Sequence, residues 1–265
     1  MAGRPPRIGI ALGTVGLDAR EWLQRADQIA QLPIDRLWIW DHLIGRGATP
    51  RPALEALALA AAALARSETL RVGTLVLDVT KRHHAVVASW AATVASYAPG
   101  RLLLGFGAGG DAAGHLAAGI PFPPTDERIA LLESSVAHTR AALEGGPAIL
   151  HPAPPLEILV AGDHAASIRI AAHYADAWVA PADTFAAGIV ALRRGEAEAR
   201  RRPGSVRALV LQELRRGEAL TTTPFGLDPV AWWSTRSADG ADGAIVTVRE
   251  QSDVDALGPL LQRLQ

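Results

Sequence analysis

The residues able to do chemistry fall into three short groups. Asp41-His42 is the sharpest, because an imidazole that titrates near neutrality beside a carboxylate can donate or remove a proton at a reacting ligand. The same pair is read equally well as a capping aspartate followed by an ordinary loop histidine. The glycine-rich run from Gly105 to Gly110, which includes Gly107, Ala108 and Gly109, lets backbone approach a flat ligand where a Cβ would intervene. A strand-to-loop turn with a glycine stop accounts for it too. It does not fit the dinucleotide fingerprint, since no helix with an acidic ribose partner follows at the required distance. Gly162-Asp163-His164 runs straight into a helical pattern whose first free N–H groups make an anion site, or in which Asp163 is a plain N-cap.

Other groups argue against particular chemistries. His83 and His84 are adjacent, so their side chains diverge on a helix or a strand, and no metal site is expected. Lys81-Arg82 reads as a solvated loop. With no cysteine, disulfides, thiolate nucleophiles and cysteine metal sites are excluded. Trp38 and Trp40 share one side of a strand, which places Trp40 to line a ligand cavity. The pair Trp232-Trp233 suits either outer-shell packing or a dimer contact.

These residues need elements to hold them. Short, mostly continuous apolar runs recur at Arg7 to Leu12, Arg36 to Trp40, Leu70 to Leu77, Arg101 to Phe106, Glu157 to Val160, Ala177 to Ala180, Val206 to Leu211 and Gly243 to Val248. That pattern suits parallel strands buried on both faces. Helical patterns separate them: one capped by Asp18, then Pro52 to Ser67, Ala85 to Tyr97, Asp126 to Glu144, His164 to Tyr174, Thr184 to Arg202, Pro224 to Trp233 and Ser252 to Leu264. Eightfold strand–helix alternation predicts an α/β fold, a (β/α)8 TIM barrel, with an open doubly wound sheet as the competitor. His151 to Pro155 reads as an extended connector and Thr221 to Pro229 as a loop. No domain boundary is visible, so one domain is expected over residues 1–265. In such a barrel the C-terminal strand ends build the site, and there Asp41, His42, Asp78, the strand-four glycines, Gly162, Asp163, Gln212, Glu213 and Arg249 collect. The strand starts offer mainly single arginines.

With 26 basic and 27 acidic residues, a nucleic-acid or anionic-membrane partner is not expected. Met1 to Pro6 lacks a signal peptide's apolar stretch, and the most apolar later segment, Leu54 to Ala65, is too short to span a membrane. The expected location is the cytoplasm.

Four stretches together resemble the bacterial-luciferase-like oxidoreductases, which use FMN or the deazaflavin coenzyme F420: DRLWIWDHL (Asp35 to Leu43), VGTLVL (Val72 to Leu77), PGRLLLGFGAGG (Pro99 to Gly110) and PLEILVAGDHAASIRIAAHYADAWVAP (Pro155 to Pro181). The resemblance runs from Arg7 to about Trp178 and resumes weakly from Asp242. It implies a luciferase-like barrel carrying a flavin-type ring across its strand tips. It also implies a non-proline cis bond between Leu75 and Val76 supporting that ring, a phosphate site at Gly162, Asp163 and His164, and Asp41-His42 beside the ring. In relatives the segment after strand three usually reads arginine, histidine, proline; here stand Arg82, His83 and His84. Some deazaflavin sugar dehydrogenases carry a catalytic glutamate where this chain has Gly110.

The expected function is therefore hydride transfer between F420 and a small organic substrate, with His42 as acid/base and Asp41 orienting it or the ring. Trp40, Leu75, Val76, Gly107, Ala108, Gly109, Gly162, Asp163 and His164 would hold the cofactor, and no metal is expected. The alternatives are an FMN-dependent two-component monooxygenase fed by a separate reductase, and a degenerate non-catalytic flavin-binding barrel. The Ala/Leu-rich second helix suggests a homodimer.

Overall fold

The computed structural model describes residues 6–45, 51–145, 154–215 and 217–265. Eight parallel strands form its core: β1 (Ile8–Leu12), β2 (Leu37–Ile39), β3 in two pieces (Val72–Thr74 and Leu77–Asp78), β4 (Leu102–Gly107), β5 (Glu157–Ala161), β6 (Ala177–Pro181), β7 (Arg207–Gln212) and β8 (Gly243–Val248). β1 pairs with both β2 and β8, and the order runs on through β7, β6, β5 and β4. The ring closes where the first piece of β3 pairs with β2 on one side and β4 on the other. Closure of the ring rules out the open sheet.

Because the strands are apolar on both faces, they supply two cores. Ala11, Trp38, Leu103, Leu159, Val179 and Ile245 face inward and fill the barrel. Their neighbours in sequence, such as Ile10, Leu37, Leu104, Val160 and Val246, face outward beneath the helices. The helical layer is α1 (Ala19–Ala30), α2 (Ala56–Arg66), α3 (His84–Tyr97), α4 (Ala112–Ala117), α5 (Thr125–Leu143), α6 (Ala165–Tyr174), α7 (Phe185–Glu198), α8 (Pro224–Leu227), α9 (Pro229–Ala238) and α10 (Gln251–Gln262). Among the described residues, no helix is long and apolar enough to cross a membrane.

Several boundaries differ from the sequence reading, for local reasons. α2 begins at Ala56 rather than Pro52, because Arg51–Pro52 pairs antiparallel with Ile44–Gly45 and Glu55 caps the helix by accepting from the Ala58 N–H at 2.6 Å. The segment 224–233 is two helices and not one. Thr223 caps the first, Asp228 caps the second, and each helix opens on a proline that has no N–H to lose. That also replaces most of the loop expected over Thr221 to Pro229. α4 was not expected at all. The connector read at His151 to Pro155 lies mostly outside the described residues.

Candidate functional site

A cavity of about 700 Å³ opens among the C-terminal strand ends. Nine of the eleven expected catalytic and cofactor-holding residues line it: Trp40, Asp41 and His42 after β2, Leu75 and Val76 between the two pieces of β3, Gly107 at the end of β4 and Gly109 beyond it, and Gly162 and Asp163 after β5. Ala108 and His164 lie outside that lining. The Ala108 carbonyl accepts from Arg128 Nε at 3.2 Å, and His164 is the N-cap residue of α6.

The β2 wall is held by charge. The Asp41 carboxylate is buried and accepts both Arg82 nitrogens, Nη2 on Oδ1 at 2.9 Å and Nη1 on Oδ2 at 2.8 Å, and the Asp78 N–H at 3.1 Å. Lys81 Nζ donates to the Asp41 carbonyl and stands 3.7 Å from its carboxylate. Burial pulls the Arg82 guanidinium down, but the hydrogen bonds and charges of Asp41 and Glu55 outweigh it, and the net shift is upward. This corrects the reading of Lys81-Arg82 as a solvated loop: the Lys81 side chain is only 5% exposed. The misreading has a plain cause, since nothing local to 81–82 reveals a carboxylate across the β2–β3 gap. On the cavity side, the His42 ring meets Trp40 edge-on at 5.5 Å, and the Arg249 guanidinium lies 4.5 Å from the Trp40 ring centre.

The β3–β4 wall explains the glycines. The peptide joining Leu75 to Val76 is cis, as the resemblance implies. The bulge there presses against β4: a Cβ on Gly105 would stand 2.1 Å from the Thr74 carbonyl oxygen, and one on Gly107 would stand 2.5 Å from Val76. Gly109 has φ +80, and its Cβ would lie 2.6 Å from both Asp78 oxygens. The missing side chains therefore admit β3 and its aspartate. Approach of a ligand is not needed to account for them.

Asp78 itself has a fully buried partner that sequence reading missed. Thr80 Oγ1 is 2.6 Å from Asp78 Oδ1 and 2.6 Å from His115 Nε2, while His115 Nδ1 is 2.8 Å from the Asp111 carbonyl. His115 sits in α4, the helix not foreseen, which left it without context in the sequence. His83 caps α3 by accepting from the Ala85 N–H at 3.2 Å, and His84 stacks on His138 at 4.7 Å. No metal-holding cluster of acids, histidines or cysteines occurs among the described residues.

After β5, Gly162 has φ +132 and its N–H donates to the Val179 carbonyl at 3.1 Å. That amide is thus engaged, and any anion here would rest on the first-turn amides of α6. Asp163 is exposed and is not the N-cap, which is a correction to the plainer reading of that residue. Among the described residues, Arg51, Lys81, Arg215 and Arg249 bring basic groups to the cavity lining.

A closed parallel barrel with a glycine-walled cavity at its C-terminal strand ends, apolar in the main with charged groups among its lining, defines the class: an α/β barrel built to hold a ligand at its rim. The family model for luciferase-like monooxygenases matches residues 5–213, and the chain belongs to that family. The match continues past Trp178, where the resemblance read from sequence faded, through β7. Among curated relatives, an F420-dependent glucose-6-phosphate dehydrogenase of Kineococcus radiotolerans is 29% identical over 192 residues, 67% of this chain and 57% of the relative. One of Beutenbergia cavernae is 30% identical over 65% of this chain and 56% of the relative. The chain thus spans rather more than half the length of these relatives. Among solved structures, an F420-dependent secondary alcohol dehydrogenase holding an F420-acetone adduct superposes with a TM-score of 0.83 at 16% identity, covering 99% of this chain and 100% of that one. An EDTA monooxygenase from Chelativorans gives 0.74 at 15% identity, covering 98% of this chain and 94% of that one. These likenesses show a shared fold.

Proposed function

We propose that the chain is an oxidoreductase passing hydride between the deazaflavin coenzyme F420 and a small organic substrate. The observation that carries this reading is the convergence of nine family-matched positions on one cavity, in a chain whose sequence relatives are named as F420-dependent dehydrogenases. The cavity suits the group: about 700 Å³ lies within the range of cofactor pockets, and a glycine rather than a side chain stands at positions 107, 109 and 162 of its wall. Leu75, Val76 and Trp40 would bear the ring, Gly107 and Gly109 would leave it space, and the start of α6 beside Gly162, Asp163 and His164 would meet the phosphate. When bound, the coenzyme supplies the hydride chemistry.

The protein's part is orientation and proton handling. His42 lines the cavity at the β2 tip and is the proposed acid/base. Asp41 acts through the backbone: with Arg82 and Lys81 it locks the β2 tip to the β3–α3 loop and so fixes where Trp40 and His42 point. A sugar phosphate is not the proposed substrate, because Gly110 stands where, by the family resemblance, some deazaflavin sugar dehydrogenases carry a catalytic glutamate.

An FMN-dependent monooxygenase supplied by a separate reductase is the second reading, favoured by the likeness to the EDTA monooxygenase. Titration of the protein with F420 and with FMN, followed by tryptophan quenching, separates the two. Oxidation of the reduced cofactor over a panel of ketones, enones and imines then defines the substrate. Binding of neither cofactor would sink both readings. The proposal includes a homodimer through outer helices, where Val86 and Tyr97 of α3 are 61% and 45% exposed. Sedimentation as a monomer at micromolar concentration would refute it.

A further inference from the structure

We propose that Asp78, Thr80 and His115 form a buried proton-sharing unit that opens on the cavity through Asp78 and supplies a proton to the ligand bound there. The catalytic half of this inference rests on the oxidoreductase reading above; the proton count rests on geometry alone.

The count is forced by the distances. The Asp111 carbonyl oxygen can only accept, so His115 Nδ1, 2.8 Å away, is assigned a hydrogen. Thr80 has one hydroxyl hydrogen and two close partners, Asp78 Oδ1 and His115 Nε2, each at 2.6 Å. An ionised carboxylate and the Nε2 of a neutral, Nδ1-protonated imidazole are both acceptors. With only those species, one of the two contacts would set two lone pairs against each other at 2.6 Å. One additional proton removes the conflict. It sits on His115 Nε2 while Thr80 donates to Asp78, or on Asp78 while Thr80 donates to His115. The two arrangements interconvert when one hydrogen moves from His115 to Thr80 and another from Thr80 to Asp78.

The surroundings keep that proton inside. His115 is 0% exposed and Asp78 7%. The Thr80 N–H also donates to Asp78 Oδ1 at 3.0 Å, and His115 Nε2 stands 3.4 Å from Asp78 Oδ2. The Phe122 ring covers His115 at 4.9 Å, with the Arg128 guanidinium 4.1 Å beyond it. The other charged groups facing the unit are Asp41, which accepts the Asp78 N–H, the Arg82 and Lys81 cations paired with Asp41, and Asp111 at the start of α4. Gly109 carries the chain over the Asp78 carboxylate, and both residues line the cavity.

In the transfer, the Asp78 O–H bond breaks as a bond from that hydrogen to a ligand oxygen or nitrogen forms. If the proton began on His115, the two internal hydrogens shift first, one from His115 to Thr80 and one from Thr80 to Asp78, and so form the O–H bond that then breaks. The unit is left as carboxylate and neutral imidazole, one proton poorer, and recovers that proton from solvent. This source is separate from His42, which lies on the neighbouring strand tip.

Two measurements test it. In ligand-free protein at neutral pH, nitrogen NMR of labelled histidine reads the His115 ring, assigned with His115→Gln, and infrared spectroscopy reads a protonated Asp78, assigned with Asp78→Asn. The expected result is one of the two, imidazolium or carboxylic acid. Neutral His115 beside ionised Asp78, or both groups protonated at once, overturns the proposal. The second measurement uses Thr80→Val, which keeps the shape and breaks the line. Turnover is expected to fall about 10²-fold, the lower end of what positioned acid–base groups contribute, with F420 affinity within about threefold of the parent by tryptophan quenching. Thr80→Ser should restore the rate. A Thr80→Val enzyme as fast as the parent overturns the proposal. A parent that binds neither F420 nor FMN sinks the oxidoreductase reading, and the spectra of the ligand-free protein still decide the proton count.

Discussion

The two ends of the barrel carry the same kinds of side chain and put them to different use. At the N-terminal end, Arg36 is 1% exposed and donates to the Val72 and Arg101 carbonyls and to Glu157. Glu157 also pairs with Arg207 at 2.9 Å, and Arg71 with Asp35 at 3.4 Å. The lone arginines of the strand starts thus become a plug. Burial, with the charge of Arg71, holds the Arg36 guanidinium down at about 10, which still leaves it charged at neutral pH. At the C-terminal end, Asp41, Lys81 and Arg82 are paired as tightly, but a cavity begins beside them. A buried ion pair marks a site only where there is room for a ligand next to it; otherwise it closes a gap in the packing.

Variants can break this contrast, starting with the largest expected effect. His42→Ala should slow turnover by about 10²–10⁴, the usual contribution of general acid–base catalysis, with cofactor affinity changed only a few-fold. The rate–pH profile of the parent should contain an ionisation that the variant lacks. A His42→Gln enzyme nearly as active as the parent would mean that the ring only shapes the pocket.

Next comes Asp41→Asn, which strips the carboxylate from two cations and should cost about 3 kcal/mol in urea unfolding, together with weaker F420 binding. At the opposite end, Arg36→Met removes a charge whose partner Glu157 keeps Arg207, and should stay within about 1 kcal/mol with F420 binding unchanged. Equal losses at both ends would erase the distinction between them.

Gly109→Ala sharpens the contrast at one atom. The positive φ and the clash with the Asp78 carboxylate together should cost about 2–3 kcal/mol. Gly204→Ala, at φ +79 with nothing within 4 Å, should cost only about 1 kcal/mol. Similar melting temperatures for the two variants would show that Asp78 moves freely out of the way.

The smallest effect belongs to the outer face, where burial and then the neighbouring His83 and His138 lower the His84 imidazole below its ordinary value. A base lowered in the folded state takes up its proton more readily when unfolded, so stability should rise with pH through that ordinary range and fall below it. His84→Gln should flatten the slope of melting temperature between about pH 7 and pH 5. An unchanged slope would mean that the three rings do not couple to folding.

Much of the architecture was legible beforehand, because strands buried on both faces leave continuous apolar runs and their helices leave caps. Gly243 to Val248 emerged as read, and Asp18 caps α1 as read. The Leu75–Val76 cis bond was legible only through the family resemblance, since no local residue pattern calls for it. The cavity was legible as a set of strand ends. What was misread lay between elements: Lys81-Arg82 was taken for solvent and His115 was passed over, while the glycines from Gly105 to Gly109 proved to have a second cause in the approach of β3 to β4.

By itself, the sequence determined the eightfold alternation, the strands' two-faced burial and the rim on which polar residues gather, because each follows from periodicity within a few residues. The tertiary structure decided who meets whom. Asp41 finds Arg82 across 41 positions, and Thr80 finds His115 across 35. Such contacts depend on how the ring of strands closes and on which side chains are missing where β3 bulges into β4, and neither is written in any local stretch of chain.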